Sequence, residues 1–144
     1  MSIKQISVFL ENKPGKLSDM TALLAANNID IRALSLAETK DFGIARMIVD
    51  DIYEAAAVLR DGDFIANFSP VLAFAVPDEP GGLNKLLNAF NAAKVNIEYM
   101  YAFLGGADTK HAYMIFRVSH TQDAEAALVA KGFDPLTQEE IAAI

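Results

Sequence analysis

Residues 12–17 read NKPGKL and residues 78–83 read DEPGGL, and this echo constrains the fold more than any other feature of the chain. Pro80 lies 66 positions after Pro14, and the same offset pairs Gly15 with Gly81, Leu17 with Leu83, Ile29 with Val95 and Ile31 with Ile97. Farther along the offset becomes 69, pairing Ala55 with Ala124, Leu59 with Leu128 and Phe64 with Phe133. The second copy therefore carries three extra residues near GGADTKH, where a turn tolerates them. A matched loop, helix, strand and second helix mark a duplicated unit. The expected domains are residues 1–69 and 70–144, joined by Asn67, Phe68, Ser69 and Pro70, too short a joint for a flexible linker, so the two units should pack rigidly.

Both copies carry the same sequence of periodicities. Ile6, Val8 and Leu10 alternate as a strand does, and Leu72, Phe74 and Val76 repeat the pattern. Leu17, Met20, Leu23 and Leu24 then follow helical spacing, as do Leu83, Leu86, Leu87 and Phe90. NNIDI and KVNIE end these helices and open second strands that run to about Glu38 and Leu104; turns at KDFG and GGADTK lead into the strands IARMIVD and AYMIFRV. Asp51 with Glu54 caps the next helix, whose apolar face is Ile52, Ala55, Ala56 and Leu59; Ala124, Ala127 and Leu128 take that role in the second copy. Last strands are expected near Phe64 and, more weakly, near Phe133, and Thr137 with Glu140 predicts a short final helix. The fold class is α+β: two tandem ferredoxin-like βαββαβ domains with antiparallel sheets.

Composition removes several function classes. A net charge of −7 with no cluster of Lys and Arg opposes nucleic-acid binding, which draws its affinity from basic residues on phosphates. Tyr113 and Phe116, on the third strand of the second copy, have opposite parity and cannot form one base-stacking face. The chain has no cysteine, and His111 and His120 lack the spacing of a metal site, so neither metal nor cofactor is expected. The serines stand beside no base or elbow motif, which opposes enzymatic activity. No apolar run approaches the roughly 20 residues of a membrane span, and MSIKQISVFL lacks signal-peptide character, so a cytoplasmic protein is expected.

The repeated turn is where chemistry can reside. Proline suits the first turn of a helix, and the glycine beside it lets another group approach the backbone. Free N–H groups at the positive end of the helix dipole then form a small carboxylate receptor. Asn12 or Asp78 before the proline, and Asp30 or Asn96 at the start of the next strand, can accept hydrogen bonds from an ammonium group. An α-amino acid would thus be held at both ends.

NKPGKL followed by NIDI, and DEPGGL followed by VNI, resemble the ACT domain, a βαββαβ module that regulates amino acid metabolism by binding amino acids. The resemblance covers nearly the whole chain as two copies, as in small stand-alone tandem ACT proteins of bacteria. In serine-binding members a His and an Asn before the Pro-Gly turn and an Asn opening the second strand hold the ligand. The resemblance places these roles on Leu10 or Val76, on Asn12 or Asp78, and on Asp30 or Asn96; the apolar Leu10 and Val76 depart from the serine pattern. The implied ligand-binding set is Leu10, Asn12, Lys13, Pro14, Gly15, Lys16, Leu17, Asp30 and Ile31 in the first copy, and Val76, Asp78, Glu79, Pro80, Gly81, Gly82, Leu83, Asn96 and Ile97 in the second.

The copies are not interchangeable. Lys13 and Lys16 flank the first turn whereas Asp78, Glu79 and Gly82 surround the second, giving the turns opposite local potentials. Ala33, Ser35 and Ala37 become Tyr99, Tyr101 and Phe103, a row of rings on one sheet face, suited to packing or to a ligand wall. The expected function is a non-enzymatic sensor that binds an amino acid, aromatic or branched-chain before charged, at the inter-domain or inter-subunit interface near the Pro-Gly turns. The expected partners are a second copy in a homodimer and a regulated enzyme of amino acid metabolism, with no nucleic acid or membrane. The alternative is a ligand-free assembly module using the same surfaces.

Overall fold

The computed structural model describes residues 2–103 and 110–144; the GGADT part of the expected second-copy turn and Leu104 lie outside the described residues. The chain divides into two compact units, an N-terminal one, Lys4–Ser69, and a C-terminal one, Pro70–Ile144 together with Ser2 and Ile3.

In the N-terminal unit the order is β1 (Ile3–Glu11), α1 (Lys16–Ala26), β2 (Ile31–Glu38), β3 (Phe42–Val49), α2 (Ile52–Asp61) and the start of β4 (Ile65–Pro77). Strand β3 pairs antiparallel with both β1 and β2, which leaves β2 outermost. Period-two alternation sends Ile6, Val8, Ala45, Met47 and Val49 to one face, where they meet Met20, Leu24, Ala55 and Leu59 of the two helices.

The C-terminal unit repeats this with the rest of β4, then α3 (Gly82–Ala92), β5 (Ile97–Phe103), β6 (His111–Val118) and α4 (Thr121–Ala130), followed by α5 (Gln138–Ala143). Strand β6 lies between β4 and β5. Phe74, Phe90 and Phe116 meet at its centre with centroids 4.9–6.1 Å apart, an edge-to-face and tilted cluster that the first core lacks. The duplication extends to irregularities: β2 slips register between Ile31 and Ala33, and β5 between Ile97 and Tyr99. This shared bulge puts Tyr99, Tyr101 and Phe103 on the face opposite the phenylalanine core, with Tyr99 and Tyr101 stacked at 6.5 Å and Phe103 against Tyr113 at 5.0 Å. Tyr113 and Phe116 do fall on opposite faces.

The boundary between the two units falls between Ser69 and Pro70, within the expected joint of Asn67, Phe68, Ser69 and Pro70, and those four residues lie inside the 13-residue strand β4. One expectation is corrected: no strand begins at Phe133. Each of the four long helices ends in a Schellman motif, in which the second residue past the cap donates back to the last turn: Ile29 to Leu24, Phe64 to Leu59, Val95 to Phe90 and Phe133 to Leu128, all at 2.9–3.0 Å. The apolar residue at this position seals the core, and Phe133 is packed in that role. Beyond it the Leu136 N–H donates to the Ala73 carbonyl of β4 at 2.7 Å, before the Thr137–Glu140 capping box opens α5.

Candidate functional site

The two Pro-Gly turns are built from the same hydrogen bonds. Lys13 N–H donates to the Glu11 carbonyl at 2.8 Å and Glu79 N–H to that of Pro77 at 2.9 Å. Lys16 N–H donates to Lys13 and Gly82 N–H to Glu79, at 3.4 and 3.0 Å, closing a four-residue turn with proline second and glycine third. Gly15 and Gly81 have φ of 89° and 87°, which makes both type II turns, and the glycines are the helix N-caps. The prolines therefore stand one residue before the cap rather than at the first helical position, because the left-handed glycine comes between proline and helix. No side chain caps either helix, so the N–H groups of Leu17 and Ser18, and of Leu83 and Asn84, are open to an external acceptor.

Around the first turn lies a pocket of about 240 Å³ lined by Leu10, Glu11, Asn12, Lys13, Lys16, Leu17, Leu36, Glu38 and Gly43. It gathers five side chains of the sequence-based set and adds Glu11, Leu36, Glu38 and Gly43, which sequence reasoning missed. The signal for these four is topological: β1 and β2 run parallel on either side of β3, so the ends of both strands and the start of β3 surround the turn. Lys13 pairs with Glu11 at 2.8 Å, and the Asn12 amide donates to Glu38 at 3.4 Å. The hydrogen bond and charge of Lys13, with Lys16 adding a smaller contribution, hold the Glu11 carboxyl below the usual carboxylate range; Glu11 in turn raises Lys13.

The strand-start residues sit elsewhere. Ile31 pairs with Val49, whereas Glu11 pairs with Phe42, so Asp30 and Asn12 are separated by the length of β3, about 23 Å at ~3.3 Å per residue. Asn96 stands equally far from Asp78, since Ile97 pairs with Val118 and Pro77 with His111. Neither unit by itself brings turn and strand start together. Asp30 is engaged locally: its N–H donates to Asp50 and its carboxylate meets Arg32 at 3.0 Å. Asn96 lines a separate pocket of about 390 Å³ with Lys94, Ser119, His120 and Asp123. Ile31, Ile97 and Leu83 pack against the cores, and Val76 is a buried member of one. At the second turn Asp78, Glu79, Pro80 and Gly81 are exposed, and Gly82 is pressed against the Pro77 carbonyl with no room for a Cβ.

A family model for the ACT domain pair matches residues 1–144. Among solved structures, protein BT0572 from Bacteroides thetaiotaomicron is 38% identical over 100% of this chain and 98% of its own, with a TM-score of 0.92. The regulatory subunits of aspartate kinase from Thermus thermophilus, in ligand-free form, and from Thermus flavus are 20% and 18% identical, each aligning over 90% of both chains. Their TM-scores of 0.65 and 0.62 mark a shared fold. A search of curated proteins found no match.

Proposed function

Since the chain belongs to the ACT domain family as a tandem pair, a regulatory module, we propose that it is a non-enzymatic amino acid sensor whose ligand binds beside the Pro-Gly turns. The observation that carries this reading is the first-turn pocket. The pocket gathers Lys16 and Leu17 of α1, where the Leu17 and Ser18 N–H groups are uncapped, with Glu11 of β1 and Glu38 at the end of β2. A zwitterion complements such a mixed lining, and Leu10, Leu17 and Leu36 suit an apolar side chain beside it. Its volume lies below the ~300–1,000 Å³ of sites for drug-sized ligands, in keeping with a single amino acid. Occupancy regulates by favouring one association state of the chain over another, with itself or with an enzyme of amino acid metabolism; only a difference in affinity between the states can transmit the signal.

A second reading, a ligand-free assembly module, is favoured by Leu34 and Leu36, which are 40% and 52% exposed on the outermost strand β2 and offer an apolar edge to a second copy. A thermal-melt screen against the twenty amino acids at millimolar concentration separates the two. A ligand at about 100 times its dissociation constant adds roughly 2.7 kcal/mol, a shift of several degrees. One chemically related group of hits supports the sensor; a flat panel with a concentration-dependent dimer by light scattering supports assembly.

A further inference from the structure

We infer that Glu38 is the ammonium acceptor of the first-turn site and that the chain binds one amino acid, at that turn alone; this deepens the sensor reading above and rests on it. Four charged side chains line the pocket, and two of them neutralise each other: Lys13 is paired with Glu11 at 2.8 Å. Two remain. Lys16 is the first residue of α1, partly buried beside the open N–H groups of Leu17 and Ser18, and makes no ion pair among the described residues. Glu38, at the end of β2, accepts among the described residues only the long 3.4 Å side-chain bond from Asn12, which uses little of a carboxylate's acceptor capacity. A cation and an anion outside any ion pair among the described residues thus line one small pocket with Leu10, Leu17 and Leu36, the arrangement that an α-carboxylate and an α-ammonium complement. Asp30, the acid that sequence spacing favours for the ammonium, is about 23 Å away along the sheet and already bound to Arg32.

The second copy lacks both charges. At the positions matching Lys16, Glu11 and Glu38 by the 66-residue offset stand Gly82, Pro77 and Leu104, and Glu79 replaces Lys13. A carboxylate at the second turn would meet Asp78 and Glu79 rather than a lysine.

The test uses the full chain, wild type, Glu38→Gln and Asp30→Asn, with the twenty amino acids as probes and, for each one that binds, the corresponding des-amino acid. Amide NMR spectra follow Leu17, Ser18, Leu83 and Asn84, and calorimetry gives the stoichiometry. The expected result is one ligand per chain, with shifts at Leu17 and Ser18 and not at Leu83 and Asn84. Glu38→Gln should weaken binding about tenfold or more, the loss of a charge-assisted hydrogen bond, while Asp30→Asn leaves it unchanged. The des-amino acid should bind wild type and Glu38→Gln equally. An amino acid that binds Glu38→Gln as well as wild type, one that Asp30→Asn weakens instead, or two ligands per chain overturns the inference and leaves the sensor reading standing. A panel in which nothing binds overturns the sensor reading itself. Glu38 and Asp30 are both exposed, so neither variant should alter the fold.

Discussion

Asn28 and Lys94 hold the same left-handed backbone conformation, φ 57° in each, one residue past the caps of α1 and α3. Both donate their N–H groups back into the preceding helix, to Ala25 at 3.1 Å and Asn91 at 3.0 Å, so the Schellman geometry is duplicated although the residue is not. Both residues carry a Cβ that crowds the following carbonyl here, but asparagine tolerates the region better than lysine because its short polar side chain can hydrogen-bond locally. Lys94→Gly should therefore raise the free energy of unfolding by about 1 kcal/mol, and Asn28→Lys should lower it by a comparable amount. Urea unfolding followed by far-UV circular dichroism reads both. An unchanged midpoint for Lys94→Gly would show that the strain is relieved elsewhere.

The aromatic core of the C-terminal unit makes a larger prediction. Phe90 is 1% exposed and touches both Phe74 and Phe116, with centroids at 5.9 and 4.9 Å. Phe90→Ala should cost about 3–5 kcal/mol, the lost transfer energy plus the cavity left behind. Stability near 5–15 kcal/mol is usual for a domain, so this variant should unfold at markedly lower urea. Phe90→Leu, which keeps most of the volume, should lose much less.

The sequence made the two-fold repeat, the α+β class and the helix-facing strand residues legible, because periodicity in Ile6, Val8 and Leu10 or in Leu72, Phe74 and Val76 reports burial directly. It misplaced Phe133 because an apolar residue after a helix reads equally as a strand start and as the seal of a Schellman motif; only the hydrogen bond to Leu128 separates them. The site was half legible. Asn12, Lys13, Lys16 and Leu17 are contiguous with the Pro-Gly signal, but Glu38 reaches the turn through strand order, which a linear pattern does not encode. The same strand order moved Asp30 away.

The pairing of Glu11 with Lys13 carries a pH dependence. Lys13 lowers the Glu11 pKa, so the pair contributes its stabilisation above the ordinary carboxylate range and loses it as pH falls through the lowered folded value. Carbon-13 titration of the side-chain carboxyl should place Glu11 below an ordinary glutamate, and Lys13→Gln should return it toward the ordinary value. Both groups are solvent-exposed, so Lys13→Gln should hardly move the unfolding midpoint at pH 7. A Glu11 that titrates normally in the wild type would mean the pair does not persist in solution.

Gly15 and Gly82 should respond to the same substitution for different reasons. Gly15 needs its positive φ of 89°, yet a Cβ there would meet nothing within 4 Å. Gly15→Ala should cost about 1 kcal/mol in backbone strain, and Gly15→Asn less. Gly82 lies within the helix and has no such φ, but its missing Cβ is the space that the Pro77 carbonyl occupies. Lys16 shows what accommodation requires: with a side chain at the matched position, the turn-closing bond to Lys13 lengthens to 3.4 Å from the 3.0 Å between Gly82 and Glu79. Gly82→Ala should therefore force the second turn open toward the geometry of the first, at about 1–3 kcal/mol for overpacking against a backbone atom. Amide hydrogen exchange at Gly82 and Leu83 reads the opening directly. Protection as in the wild type, with no loss of stability, would mean that the turn absorbs a methyl group without moving.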